Sequence, residues 1–219
     1  LKPLGGAGHP PRPRLRAGAM LQAPSAPACR ICLETGPIAG EDGEEEGLIV
    51  ACACRGTSEA VHASCLARMY VAKAKWQNLH CPTCKQPYGG EVAVYLGTIG
   101  LQMCAEGSSD AAALYTNLGI AYGELGKTEE KRTLLEKALS IEEREYGPQH
   151  PKVASVLVNL GNAYGDLGQA RRKKELLERA LEINEQLYGP DDSNVATVLT
   201  NLGNVCGALG DASRKRDFL

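Results

Sequence analysis

From about residue 110 onward, apolar residues recur every three or four positions, the spacing that lines one face of an α-helix. Val153, Val156, Leu157, Leu160 and Tyr164 mark one such face and predict a helix over residues 151–167, opened by Pro151 where a missing N–H costs nothing. Gly168 supplies a left-handed stop. Leu176, Leu177, Ala180, Leu181 and Ile183 form the stripe of a second helix over residues 170–188, which Gly189-Pro190 ends. The resulting hairpin recurs. Asn117-Leu118-Gly119, Asn159-Leu160-Gly161 and Asn201-Leu202-Gly203 stand 42 residues apart, as do Gly126, Gly168 and Gly210. Tyr146-Gly147-Pro148 and Leu134-Leu135-Glu136 return at the same step as Tyr188-Gly189-Pro190 and Leu176-Leu177-Glu178. One hairpin cannot bury its apolar face alone, so an all-α stack over residues 110–219 is expected, with two full periods and a third that breaks off at Leu219.

Upstream the pattern changes. Residues 1–28 mix prolines and glycines with Arg12, Arg14 and Arg16, lack any acidic residue and hold no apolar run, so a disordered tail is expected. A transit peptide is the alternative, but the prolines would break its amphipathic helix. The chain opens on Leu1, which reads as a fragment or as a start at Met20. Residues 29–88 form a Cys-rich block and residues 89–109 a connecting segment. The longest apolar stretch, residues 92–101, falls short of the roughly 20 residues that cross a bilayer, so no membrane span is expected.

A net charge of −2 with interspersed signs provides no basic field for nucleic acid, and one Trp and one Phe provide no stacking surface. Seven of the nine cysteines fall between Cys29 and Cys84, while Cys104 and Cys206 stand alone and are expected as small buried residues. A disulfide framework competes with metal binding for the seven. Without a secretory signal, a reducing compartment and metal are favoured, with the cytoplasm first and the nucleus second.

In order, the candidate ligands are C-x2-C at Cys29 and Cys32, C-x-C at Cys52 and Cys54, H-x2-C at His62 and Cys65, and C-x2-C at Cys81 and Cys84. Eight thiolate or imidazole donors satisfy two tetrahedral zinc ions with no position left for water, so the sites are structural. A block this small and poor in apolar residues needs such ligation, which supplies on the order of 10 kcal/mol. His80 lies beside Cys81 without a free place in this set, and His9 and His150 are expected exposed. The acidic run over residues 41–46 is expected to keep the first zinc loop solvated.

This order and spacing closely resemble the RING-CH, or RINGv, family, whose histidine is the fifth ligand. The PHD finger shares the ligand order but has a shorter gap before its histidine and a Trp two residues before the seventh ligand, where this chain has Leu79. The resemblance implies a cross-brace: Cys29, Cys32, His62 and Cys65 on one zinc, and Cys52, Cys54, Cys81 and Cys84 on the other. Spacing alone does not order the pairs. It also implies a ubiquitin ligase that docks a ubiquitin-conjugating enzyme and acts by orientation, with no catalytic residue of its own. The docking surface it implies comprises Ile31, Trp76, Pro82 and Lys85, the last bridging enzyme and ubiquitin. The alternative is that Ile31 and Trp76 pack the small core and that Lys85 is a solvated charge.

Leu118-Gly119-x-x-Tyr122 and Leu160-Gly161-x-x-Tyr164 resemble the core word of tetratricopeptide repeats, and the Asn-Leu-Gly and Tyr-Gly-Pro words resemble the longer kinesin-light-chain type. Cys206 replaces this tyrosine in the third period. The resemblance implies a groove in which Asn117, Asn159 and Asn201 bind the backbone of an extended peptide; the alternative is that these amides stitch helices together. Lys131-Arg132, Lys173-Lys174 and Lys215-Arg216 form a basic column expected to be a solvated face. The expectation for the whole chain is thus a zinc-stabilised cross-brace RING domain and an all-α tetratricopeptide array, acting as a ubiquitin ligase that recruits a protein partner. The alternatives are a non-enzymatic zinc-binding scaffold and, more remotely, a PHD-like peptide reader.

Overall fold

The structure, a computed structural model, describes residues 28–39, 44–52, 54, 60–73 and 78–211. The tail before residue 28, Trp76 and the Lys215-Arg216 pair lie outside the described residues. The chain divides into two compact units at Cys104 and Ala105.

The first unit is a small zinc-finger architecture. β1 (Ile38–Ala39) pairs antiparallel with β2 (Glu45–Glu46), and β3 (Leu48–Val50) with β4 (Ala60–His62), which runs directly into α1 (Ala63–Lys73). The register Leu48 opposite His62 holds the histidine at the head of α1, where it is fully buried. Glu46 overturns part of the solvation reading of the acidic run. Only 7 % exposed, it accepts a 2.7 Å hydrogen bond at Oε1 from the Ser64 amide, so its carboxylate caps the N-terminus of α1. Glu44 and Glu45 are exposed as expected, and residues 41–43 lie outside the described residues. The connecting segment carries a helix, α2 (Gly90–Met103), which packs on α1 and buries Val92, Ala93 and Leu96.

The second unit is a hairpin array of α3 (Ser109–Glu124), α4 (Thr128–Tyr146), α5 (Pro151–Asp166), α6 (Ala170–Tyr188) and α7 (Ser193–Ala208). Each first helix of a period has a built start: Ser108 Oγ accepts from the Ala111 amide, His150 Nδ1 from Lys152 and Asp192 Oδ1 from Asn194. The turn after α5 needs Gly168, whose φ of 74° is left-handed while Gln169 donates back to the Tyr164 carbonyl at 2.8 Å.

Val153, Leu157 and Leu160 of α5 meet Leu176, Leu177, Ala180 and Ile183 of α6 in one buried cluster. The glycine of the Leu-Gly word lets the helices of a hairpin approach: a Cβ at Gly119 would meet Leu135 Cγ at 3.0 Å between α3 and α4, and one at Gly161 would meet Leu177 Cγ at 3.4 Å between α5 and α6. Polar ties join the first period to the second. Tyr164 donates to Glu136 at 2.7 Å, and Lys131 pairs with Asp166 at 2.8 Å. At the next step these positions hold Cys206 and Ala208, which can make neither tie; Cys206 is buried as expected, whereas Cys104 is only half-buried. In the basic column, Lys131 pairs with Asp166, Arg132 with Glu129 and Glu136, and Lys174 with Glu178.

Glu142 of α4 is 4 % exposed, and its Oε2 has no hydrogen-bond partner among the described residues. Burial raises its pKa, opposed by the charges of Lys152 and His150. The native state therefore favours the protonated acid, a contribution present at low pH and lost as pH rises through the folded value. Glu142→Gln is expected to raise the melting temperature of the array at pH 7 and to leave it near wild type at pH 3, as followed by circular dichroism.

Candidate metal centre

Two knuckles shape the site. Cys29 and Cys32 flank a turn in which the Leu33 amide donates to the Cys29 carbonyl at 2.8 Å, and the Lys85 amide closes the same turn onto Cys81 at 2.9 Å. The residue after each second cysteine is left-handed, with φ of 68° at Leu33 and 62° at Lys85, a conformation that costs a side-chain-bearing residue on the order of 1 kcal/mol. β4 and α1 bring His62 and Cys65 to the first knuckle, and the strand β3 leads into Cys52 and Cys54, which meet the second.

The donors gather into two sets, Cys29, Cys32, His62 and Cys65, and Cys52, Cys54, Cys81 and Cys84, with the atoms of each set within 4.8 Å of one another. A tetrahedral zinc 2.3 Å from sulfur would place neighbouring sulfurs about 3.8 Å apart. Cys54 and Cys81 Sγ are 3.6 Å apart, and Cys32 and Cys65 Sγ lie 3.4 and 3.9 Å from His62 Nδ1. His62 Nε2 lies 2.9 Å from the Gly36 carbonyl, so donation there carries the ring proton and leaves Nδ1 as the metal donor.

The thiols fit a cation electrostatically. Burial, together with the neighbouring sulfurs, pushes Cys54 and Cys65 up. At Cys29 and Cys81 burial also opposes ionisation, but backbone amide donors outweigh it and pull both thiols down. Sulfurs this close cannot all ionise without a divalent charge among them, and zinc would supply that charge while joining the first knuckle to His62 and Cys65 and the second to Cys52 and Cys54. The cross-brace pairing is therefore the one the sequence resemblance implied.

Two arginines went unread in the sequence. Arg30 Nη1 lies 3.5, 3.4 and 3.5 Å from the sulfurs of Cys52, Cys54 and Cys81, and Arg68 Nη2 lies 3.6 Å from Cys65. Basic residues beside cysteine ligands were the only available signal, and nothing in their spacing says which sulfur each meets.

The other expected site residues are less tightly gathered. Ile31 is 37 % exposed, Lys85 is exposed, and Lys85 Nζ donates to the Pro82 carbonyl at 2.7 Å. Pro82 and Lys85 border a cavity of about 420 Å³ with Leu66, Met69 and Tyr88; Ile31 does not line it. Met69, half-buried on α1, was not singled out in the sequence. His80 is exposed and turns to Asn78, outside both donor sets. Asn117, Asn159 and Asn201 are half-exposed at matching positions of α3, α5 and α7.

The RING-variant domain family matches residues 29–84, and tetratricopeptide repeat families match residues 110–172 and 153–194. No curated protein matches the chain. Among solved structures, BtubC (BKLC) from P. vanneervenii is similar at 26 % identity and a TM-score of 0.56, over 72 % of this chain and 59 % of that one. This chain thus spans little more than half of that protein's length. A putative kinesin light chain with nearly identical TPR-like repeats from Podosopora anserina shares the fold at 21 % identity and a TM-score of 0.54, over 70 % of this chain and 68 % of its own.

Native mass spectrometry is expected to find two zinc ions per chain, and a chelator to unfold residues 29–88 while leaving the helical signal of the array. Glu46→Ala is expected to retain both ions and to lower the stability of the zinc domain by about 1 kcal/mol, read by chemical denaturation. Eight ligands in cross-brace order and a repeating helical hairpin thus agree with the matches: the chain carries a RING-variant domain over residues 29–84 and tetratricopeptide repeats within residues 110–194, whose fold is similar to that of a putative kinesin light chain.

Proposed function

We propose that the protein is a RING-CH-type ubiquitin ligase in which residues 29–88 dock a ubiquitin-conjugating enzyme and residues 110–219 hold a protein partner. The observation that carries this reading is the pair of closed four-ligand clusters in RING-variant order. Closed clusters leave no coordination position for substrate, so the zinc ions shape a docking surface and do no chemistry themselves. Transfer then rests on orientation: the conjugating enzyme brings its thioester-linked ubiquitin, and the ligase holds the pair in a reactive pose.

Exposed Ile31, half-buried Pro82 and exposed Lys85 supply an apolar contact at each knuckle and a cation beside the second; Trp76, outside the described residues, is assigned to the same role by the family resemblance alone. In the array, half-exposed Asn117, Asn159 and Asn201 can donate to and accept from the backbone of an extended segment. The compartment that fits is the reducing cytoplasm or nucleus, because the zinc ligands must remain thiolates. No helix among the described residues is long and apolar enough to cross a membrane.

Discharge of ubiquitin from a panel of loaded conjugating enzymes tests the activity. Ile31→Ala and Pro82→Ala are each expected to reduce discharge at least about tenfold with two zinc ions retained, which corresponds to about 1.4 kcal/mol of lost docking or orientation. Lys85→Ala keeps the backbone strain and should slow discharge more than it weakens docking. If the wild-type protein discharges no enzyme of the panel, a non-enzymatic scaffold takes the place of the ligase.

The groove is tested by replacing Asn117, Asn159 and Asn201 together by Ala. Binding of extended peptides selected by display on the wild-type array should weaken while the melting temperature changes little. Buried stitching amides would instead leave partners unsatisfied at about 1–3 kcal/mol each, and a large fall in melting temperature would reject the groove.

A further inference from the structure

Arg30 belongs to one zinc centre by sequence and to the other by contact. Its backbone lies between Cys29 and Cys32, in the knuckle of the first centre, and its amide donates to the Ala60 carbonyl at 3.0 Å. Its guanidinium reaches three of the four sulfurs of the second centre, at 3.4–3.5 Å from Cys52, Cys54 and Cys81. Those are N–H···S contacts from a permanent cation to thiolates, the charge-assisted class of hydrogen bond.

The charges of the two centres differ. A divalent ion with four thiolates carries a net −2, whereas three thiolates and a neutral imidazole leave −1. The stronger imbalance is the one Arg30 meets at three sulfurs; Arg68 meets the weaker one at the single sulfur of Cys65. Among the described residues, each centre thus meets one guanidinium. Of these two, Arg30 comes from the opposite centre's knuckle, which is closed by its own turn in the structure where the guanidinium meets the second set of sulfurs.

We infer that Arg30 is a positioning residue that couples the two zinc sites: closure of the first knuckle delivers its guanidinium to the four-sulfur centre, so filling the first site tightens the second. The inference rests on zinc occupying both donor sets and is independent of ligase activity. All three contacts are made by the one nitrogen Nη1, whose two N–H groups the sulfurs share, and the guanidinium charge is permanent and weakly hydrated, whereas a lysine offers a compact, strongly hydrated charge.

The full-length chain, refolded without metal, provides the test. Cobalt titration reads the two centres separately, because a four-sulfur ligand field absorbs differently from three sulfurs and one nitrogen. Release of zinc to a colorimetric chelator gives the rates. Wild type should fill both centres together. In Arg30→Met the four-sulfur centre should fill after the other and release zinc at least about tenfold faster, with Arg30→Lys restoring part of the difference. Arg68→Met should leave the four-sulfur centre at its wild-type rate. Cys32→Ser, which opens the first centre, should loosen the second in the wild-type background and add little to Arg30→Met, the signature of a shared interaction.

Unchanged filling order and release rate in Arg30→Met would overturn the coupling. So would equal loosening of both centres in Arg30→Met and Arg30→Lys, which would make Arg30 a packing residue. Should Arg30→Met bind no metal at saturation, Arg30→Lys decides: recovery of loading supports the charge role, and failure to load overturns it.

Discussion

Tetrahedral ligation of two ions is the constraint from which the first unit follows. Its strands are two or three residues long and would not persist alone, and among the described residues its larger buried apolar side chains before α2 are Val61, Leu66, Tyr70, Leu79 and Tyr88. Four sulfurs, or three and an imidazole, must converge within a few ångströms, and that demand sets the backbone around them. It tolerates left-handed Leu33 and Lys85, fixes His62 at the end of β4 and starts α1 immediately behind it. Glu46 then caps that helix from a strand whose own position depends on the same ligation.

The array obeys a different constraint. Its hairpins gain stability by covering apolar stripes with the next helix, so nearest neighbours carry the interaction. Glycine in the Leu-Gly word lets the paired helices approach, and the buried cluster runs from Leu135 of α4 through Val198, Leu202 and Val205 of α7. Polar ties are distributed unevenly along it. The first junction has Tyr164 on Glu136 and Lys131 on Asp166, whereas Cys206 and Ala208 leave the second junction to apolar packing at those positions. Repetition in sequence thus does not imply equal coupling between periods.

A molecule built this way separates two tasks by their physics. Ligation makes a small rigid surface that needs no catalytic side chain, as orientation of a partner's reactive bond requires. Stacked helices make an extended surface whose length scales with the number of repeats, suited to a long partner segment. The proposed ligase uses the first for transfer and the second for recruitment.

Periodicity and ligand chemistry made most of this legible in advance. A step of 42 residues carried the hairpins, their glycine stops and their buried stripes, since helix packing repeats wherever the same apolar spacing repeats. Cysteine and histidine spacing carried the eight ligands, because few other arrangements of thiols in one short segment satisfy tetrahedral metal. The sharing of those ligands between two ions needed three dimensions or a family likeness, because adjacent pairs along the chain are compatible with more than one grouping. The same holds for Glu46, Arg30 and Arg68. An acidic run reads as solvated and an arginine between cysteines reads as surface, because charge in a sequence has no address; folding brings one carboxylate of that run to a helix N-terminus and Arg30 to the other centre's sulfurs, where low exposure and short distance turn a generic charge into a specific interaction.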